Sequence, residues 1–391
     1  MMTGRRSPLV LIFGIVFIDL VGFGIVIPVL PLYAERFGAS PLKVGLLLGI
    51  YSAMQCIFAP ILGKLSDRIG RRPVLLVSLV GTAIGFLIMG LARTLPLLFI
   101  GRIIDGITGG NISTAQAYIA DVTPPEQRSR GMGLIGAAFG LGFIFGPAIG
   151  GLMSHFSLAA PLLFAAALTA ANAVAVYWLL PESLPVERRG RAREQTSIGQ
   201  VFRESNAWVL AVVMATYFFS TVAFSLLTAT YPLFTERRFG FNAAQNGYIF
   251  AGQGVLAAII QGGLLGWLLH WVRDKGLVVL GAVLLAASFF VLPLSGSHAM
   301  LFLVTAGVAV GHSLMTAPLN GLASKAVSAA SQGRVLGLMQ SAASFARIIG
   351  PVSGGWLLNQ DLLHSVVHFG KTPYWTGGSV MLVAFALAAV L

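Results

Sequence analysis

Twelve apolar runs of roughly 20 residues follow one another along the chain, with short polar connections between them. Their centres fall near Gly22, Met54, Gly85, Thr108, Gly140, Ala170, Val222, Leu256, Leu285, Ala309, Ser344 and Leu382. A run of that length crosses the hydrocarbon layer of a bilayer as one helix. Strands are excluded by the same feature, because the runs are too long and lack strict alternation. Composition agrees: 57% of the 391 residues are hydrophobic and 10% are charged, against about 25% charged in an ordinary soluble domain. The expected fold class is an all-α integral membrane protein with twelve transmembrane helices.

The net charge of +12 raises nucleic-acid binding as a function. The placement of the charges argues for membrane topology instead. With both ends on one side, twelve spans sort the loops into two sets. One set holds Arg5, Arg6, Lys64, Arg68, Arg71, Arg72, Arg128, Arg130, Arg188, Arg189, Arg191, Arg193, Arg203, Arg273, Lys275, Lys325 and Arg334. The other holds only Arg36, Lys43, Arg93, Arg237, Arg238 and Lys371, while Arg102 and Arg347 lie inside runs. Lys and Arg gather on the cytoplasmic face of membrane proteins, so both termini are expected in the cytoplasm and no nucleic-acid partner is expected. The basic-then-apolar start resembles a signal peptide. No small-residue cleavage site is evident and Asp19 interrupts the run, so it reads as a retained first span.

The chain also repeats itself. "PLYAERFG" from Pro31 returns as "PLFTERRFG" from Pro232, and "VFIDLVGF" from Val16 as "YFFSTVAF" from Tyr217. "RGMGLIGAAFGLGFIFGPAIGG" from Arg130 returns as "RVLGLMQSAASFARIIGPVSGG" from Arg334. Spans one to six thus resemble spans seven to twelve in the same order. An even number of spans per half keeps both halves in one orientation, related by a pseudo-two-fold axis along the membrane normal. The expected organisation is a six-helix half at 1–180, a polar cytoplasmic linker at 181–204 and a second six-helix half at 205–391. Two parallel halves with a seam between them form the architecture of an alternating-access transporter.

Other function classes find little support. The six histidines are scattered, with no H-E-x-x-H or similar set. Cys56 is the single cysteine and has no ligand set near it in sequence, so neither a disulfide within the chain nor a metal site is expected. No phosphate-binding loop pattern occurs, so direct drive by a nucleotide is not expected. No cofactor is expected.

"GKLSDRIGRRPVLL" joins spans two and three and gathers Gly63, Asp67, Arg68, Gly70, Arg71 and Arg72. Gly63 permits close helix approach, Gly70 permits a tight turn, and Asp67 sits at a helix end amid cations. This stretch resembles the signature loop of the major facilitator superfamily. With "GFIFGPAIGG" in span five, the chain is similar to the twelve-span drug/proton antiporter branch. "GRIIDGITGGNISTAQAYIADVTPPEQRSRG" and "LLPESLP" bring it closer to the tetracycline/proton antiporters and related multidrug exporters. The resemblance implies the major facilitator fold and a bacterial inner membrane. It implies a cytoplasmic latch between the halves, formed by Asp67 and Arg71 with Asp121 as partner. It also implies that Gly142, Gly146, Pro147, Gly150 and Gly151 let span five pack tightly and bend. The matching loop of the second half, "GWLLHWVRDKG", has no acid in the place of Asp67. The chain departs from the tetracycline exporters where their span-three acid becomes Gly85. Their span-nine acid has no counterpart in "VVLGAVLLAASFF", and their span-eight histidine falls at about Ala257. Tetracycline itself is therefore not implied as the substrate.

Ionisable groups inside spans cost about 3 kcal/mol each at the bilayer centre and are functional candidates for that reason. Asp19, Arg102, Asp105 and Arg347 are the four cases. Asp19 lies mid-span, and its second-half counterpart is Ser220. A carboxyl group held away from bulk water can bind and release a proton, which is the chemistry a proton-driven pump needs. It can equally hold a cationic substrate, or serve as a polar anchor between helices. Arg102, Asp105, Gly109, Ser113 and Gln116 recur at three and four residues, so they are expected on one face of span four. Arg102 and Asp105 read either as a structural ion pair or as a cavity pair that answers to a proton. Arg102 matches a proton-handling motif of the resembling antiporters.

A second stripe runs through Gln340, Ser344 and Arg347, and span seven offers Tyr217, Ser220, Phe224, Thr228 and Tyr231. Aromatic faces with a few polar groups suit a bulky amphipathic molecule; they also suit plain packing or lipid contact. Gln55, Gln253, Gln261, His312 and Asn320 are weaker cavity candidates. The expected function is export of an amphipathic organic compound in exchange for protons, by a monomer in the lipid bilayer. The alternatives are a proton-coupled symporter for a nutrient or metabolite, and a membrane receptor or enzyme without transport.

Overall fold

A computed structural model of the chain describes residues 8–124, 128–190, 206–327, 331–364 and 369–391. Arg5, Arg6 and residues 191–204 of the expected linker lie outside them. The described residues form helices joined by short turns, with no strand among them. The helices are α1 (Pro8–Glu35), α2 (Pro41–Ile69), α3 (Arg71–Gly90), α4 (Leu95–Thr108), α5 (Asn111–Val122), α6 (Arg128–Ser154) and α7 (Ala160–Leu179). They continue with α8 (Ala207–Phe239), α9 (Ala243–Ile259), α10 (Leu265–Trp271), α11 (Asp274–Val291), α12 (His298–Lys325), α13 (Gln332–His364) and α14 (Lys371–Ala389). A π-helical turn, Ile260–Leu264, joins α9 to α10.

Among the described residues, ten helical segments are long and apolar enough to cross a membrane, counting Ala243–Trp271 as one. The expected run around Leu382 is α14. The expected run around Thr108 is not one helix. It breaks at Gly109 and Gly110, whose ψ angles of 22° and 7° leave the helical well. Two successive glycines are the weakest helix formers short of proline. The single polar face expected from Arg102 to Gln116 is therefore cut in two, with Arg102 and Asp105 on α4 and Ser113 and Gln116 on α5.

The spans are built for lipid. On α3 the exposed face carries Val77, Val80, Ile84 and Leu87, while the buried face holds Ser78, Thr82 and Gly85 beside Leu75 and Leu79. Polar and small groups turn inward because lipid cannot hydrogen-bond them. Lipid tails are as apolar as leucine, so helix association rests on close packing and internal polar contacts.

The chain divides into two compact units. The first is Met1–Gly38, Ile50–Arg193 and Ala243–Ala251; the second is Ala39–Gly49, Glu194–Asn242 and Gly252–Leu391. In the first unit the span-five motif lays its small residues on α1. A Cβ on Gly146 would stand 2.6 Å from Gly24 Cα, and one on Gly142 would stand 2.7 Å from Leu20 Cβ. Gly150 meets Ile25 in the same way, and Gly151 meets Ala244 and Gly247 of α9. Pro147 lies in this seam, with its ring against Gly24. The second unit repeats the device. Gly350 and Gly354 of α13 press on Ser225, Leu226 and Thr230 of α8, and Gly355 presses on Pro41 and Gly45 of α2.

Candidate functional site

The charged centre of the first unit is assembled from α1, α2, α4 and α5. Arg102 is 2% exposed and donates from Nη1 to Asp105 Oδ2 at 3.0 Å. The two residues are three apart on α4, so the helix itself sets their pairing. The flat face of the guanidinium lies over the Tyr51 ring of α2, with Cζ 4.3 Å from the ring centroid. The Thr82 side chain of α3 lies beside Asp105 and 3.5 Å from the Thr108 hydroxyl. Gly85 lies against the same carboxylate residue: a Cβ there would stand 3.0 Å from Asp105 Cβ. The absence of a side chain at Gly85 is what lets α3 close on Asp105. Asp19 of α1 is half-buried, interacts with the Asn111 side chain of α5 and feels the charge of Asp105.

Around the break in span four the chain supplies substitute hydrogen bonds. Gln55 Nε2 donates to the Gly109 carbonyl at 2.9 Å and to the Tyr51 hydroxyl at 3.2 Å. The Ser113 hydroxyl turns back to the Gly110 carbonyl at 2.8 Å. Gln116 is half-buried on α5. Of these groups, Tyr51, Thr82 and Asn111 escape a reading by sequence alone. The signal for Tyr51 was present, since it precedes Gln55 by one helical turn.

The signature loop closes on itself at the junction of α2 and α3 in the first unit. Arg71 is the hub. It pairs with Asp67 at 2.7 Å and with Asp121 at 2.9 Å, and it donates to Ser66 at 2.6 Å. Gly63 accepts from the Ser66 hydroxyl. Gly70 adopts φ of 111°, which side chains rarely tolerate, and a Cβ there would stand 2.4 Å from Glu182 Oε2. Glu182 uses that clearance. Its carboxylate accepts the backbone N–H groups of Arg71 at 2.9 Å and Arg72 at 3.1 Å. These are orphan donors at the start of α3, where an anion is favoured by the helix dipole. Arg72 bonds the Tyr177 carbonyl and lies over the Tyr177 ring. Arg68 is exposed. Glu182 lies in the quoted "LLPESLP", and its capping role is invisible there because its partners are some 110 residues away in sequence.

The second unit presents aromatic and amide groups. Phe224 of α8 stacks on His312 of α12, with ring centroids 3.9 Å apart and planes within 10°. His312 Nδ1 has no hydrogen-bond partner among the described residues, nor has Gln253 Nε2. His312, Thr316 and Asn320 are half-buried at successive turns of α12 and define one polar face. Tyr217 is buried and feels the charge of Arg347, which donates to the Ser344 hydroxyl at 3.2 Å. Ser344 in turn donates to the Gln340 carbonyl. Tyr231 is fully buried and shares a hydrogen bond with Thr305 at 3.0 Å. Gln261 is exposed in the π turn, the kind of helix defect that recurs at functional places. No cluster of His, Cys, Asp and Glu among the described residues could hold a metal ion.

A family model described as the Major Facilitator Superfamily matches residues 12–351. The chain is 33% identical over 389 residues to the class D tetracycline resistance protein of Salmonella ordonez, covering 99% of this chain and 95% of that one. It is 27% identical to multidrug resistance protein 2 of Bacillus subtilis (strain 168), with 99% and 95% covered. Among solved structures, the human organic anion transporter MFSD10 (TETRAN) aligns with a TM-score of 0.73 at 25% identity, covering 99% of this chain and all of that one. A bacterial homologue of the human lysosomal transporter Spinster, in an inward-facing and occupied conformation, aligns with a TM-score of 0.82 at 15% identity. The alignment covers 100% of this chain and 97% of that one.

Proposed function

The chain belongs to the major facilitator superfamily, and from that premise we propose that it exports an amphipathic organic compound in exchange for protons by alternating access. The observation that carries this reading is Asp19. It is a mid-span carboxyl group, half-buried, beside Asn111 and within reach of the charge on Asp105. A proton taken up or lost there changes the local charge by one. In a poorly solvated cavity that change is felt strongly by Asp105, Arg102 and any cationic substrate. The resistance proteins to which the chain is similar support a drug-like substrate.

In this reading the six-helix halves at 1–180 and 205–391, joined by a linker at 181–204, alternate the access of a substrate to the two sides of the membrane. The first half handles the proton through Asp19, Arg102 and Asp105. The second offers the stacked Phe224 and His312 with Tyr217, Asn320 and Arg347 to the flat, apolar part of a substrate. The Asp67–Arg71–Asp121 cluster serves as the conformational latch. The protein acts as a monomer in the bacterial inner membrane, with both termini cytoplasmic.

Proteoliposomes test the reading with ethidium and tetracycline as probes. Under an imposed pH gradient the parent protein moves at least one probe against the proton flux. Asp19→Asn loses that movement and keeps exchange of the probe between compartments of equal pH. Proton-driven transport at parental rate in Asp19→Asn overturns the assignment. Probe movement in the same direction as the protons identifies a symporter instead.

A further inference from the structure

Arg102 is buried, and among the described residues its one hydrogen bond to a carboxylate runs from Nη1 to Asp105 at 3.0 Å. Its Nε has no hydrogen-bond partner among the described residues. The rest of its support is the face of Tyr51, 4.3 Å from Cζ. A desolvated guanidinium is held there by the ring's negative face. Tyr51 is itself fixed. Its hydroxyl accepts from Gln55 Nε2 at 3.2 Å, and its ring lies 5.7 Å from Phe23 of α1. The same Gln55 nitrogen donates to the Gly109 carbonyl at 2.9 Å, at the point where span four breaks. The backbones of α2 and α4 touch between these contacts. A Cβ on Gly106 would stand 2.7 Å from both the Tyr51 carbonyl oxygen and Met54 Cβ. The hydrogen bond from Gln55 and the close seat of α2 on α4 together hold the ring under Arg102.

We propose that Tyr51 is a positioning residue for the Arg102–Asp105 pair, and that Gln55 ties it to the break in span four, so that a shift of α2 against α4 alters both contacts together. The inference rests on the exporter reading above. It gives that reading a part in which helix movement and the charge balance around Asp19 become one event. Among the described residues the ionisable groups facing the pair are Asp19 of α1 and Tyr51 of α2; α3 contributes Thr82 and Gly85, and α5 contributes Asn111.

A role in packing alone predicts that Tyr51→Leu loses stability through the void it leaves, lowering flux and exchange together, while the pH profiles of Tyr51→Leu and Tyr51→Phe stay alike. A positioning role separates them, because only phenylalanine keeps a ring under the guanidinium. The test uses the full chain in proteoliposomes with ethidium and tetracycline, measuring proton-driven flux across a range of pH and exchange at equal pH. Tyr51→Leu is expected to lose proton-driven flux about tenfold and to displace its pH profile, while exchange persists. Tyr51→Phe keeps the ring and loses only the hydroxyl that Gln55 holds, so it and Gln55→Leu both fall between the parent and Tyr51→Leu. Identical pH profiles for the Leu and Phe variants overturn the inference, as does equal loss of flux and exchange in Tyr51→Leu. If Tyr51→Leu does not fold, Tyr51→Met and Gln55→Leu decide: parental pH profiles in both overturn it. Asp19→Asn is measured in parallel. If Asp19→Asn abolishes proton-driven flux while Tyr51→Leu behaves as the parent, the inference falls and the exporter reading stands. If Asp19→Asn remains proton-driven, or the parent moves neither probe, the exporter reading falls and takes the inference with it.

Discussion

Gly146 in the first unit and Gly350 in the second stand at matching places in two copies of one sequence phrase. Each brings a helix backbone against the first long helix of its own unit. A Cβ on Gly146 would meet Gly24 Cα at 2.6 Å, and one on Gly350 would meet Ser225 Oγ at 2.0 Å. Gly24 and Ser225 are themselves matched by the repeat. Polar residues at matched places behave quite differently. Asp19 of the first copy is half-buried beside Asn111. Its counterpart Ser220 is fully buried and returns its hydroxyl to the Tyr217 carbonyl of its own helix. Phe23 leans on Tyr51, which carries Arg102; its counterpart Phe224 stacks on His312.

The contrast separates two demands. Close packing is needed in each unit, because lipid supplies no apolar driving force between spans. Buried charge is costly, and among the described residues the fully buried ion pair, Arg102–Asp105, is in the first unit, while the buried carboxylate of the second, Asp361, accepts backbone N–H groups at the start of α14. The duplication has therefore kept the seam and let the chemistry diverge.

The largest test of this contrast is Arg102→Leu against Arg347→Leu. The first strands Asp105, which is 3% exposed, without its cation. Breaking a buried pair from one side costs about 3–5 kcal/mol. Adding Asp105→Leu should recover most of that stability while proton-driven flux stays lost. Arg347 is half-buried and bonded to a neutral hydroxyl, so its removal should cost about 2 kcal/mol. Unfolding by SDS in mixed micelles reads both. Equal losses would break the claim that the two units carry their charge differently.

The seam predicts equality instead. Gly146→Ala and Gly350→Ala each force backbone or side-chain atoms apart and should cost about 1–3 kcal/mol. Gly140→Ala is the control, since a Cβ there meets nothing within 4 Å; it should be neutral or slightly stabilising. A seam that tolerates Gly350→Ala but not Gly146→Ala would mean that packing, too, has diverged.

Much of this molecule was legible before any coordinates. The apolar runs gave the spans, because length and composition alone decide what crosses a bilayer. The repeat gave the matched glycines, because both copies kept them in register. The break in span four is not legible, although Gly109 and Gly110 stand side by side in the sequence. Glycine is common in membrane helices, so a pair of them does not announce a break. What stabilises the break is Gln55, 54 residues away, and the cradle of Arg102 is Tyr51 on the same distant helix. These are long-range pairings that no local pattern encodes.

The smallest expected effects lie at the loops before α3 and α11 and sharpen the comparison most finely. In the first unit Glu182 caps α3 by accepting from Arg71 and Arg72, and it also accepts the Ser183 and Leu184 N–H groups. Glu182→Ala removes the anion from a helix N-terminus that has no side-chain cap of its own. It should cost about 1–2 kcal/mol and speed hydrogen exchange in the first turn of α3. In the second unit Asp274, in the first turn of α11, pairs with Lys325. The Lys325 side chain is 68% exposed, and an exposed pair contributes about 0–1 kcal/mol. Lys325→Ala should therefore leave exchange in the first turn of α11 nearly unchanged. Equal loss of protection at the two places would mean that the second unit holds its loop as firmly as the first. The built network around Arg71 would then be a common feature of both copies and would no longer distinguish the charge-bearing one.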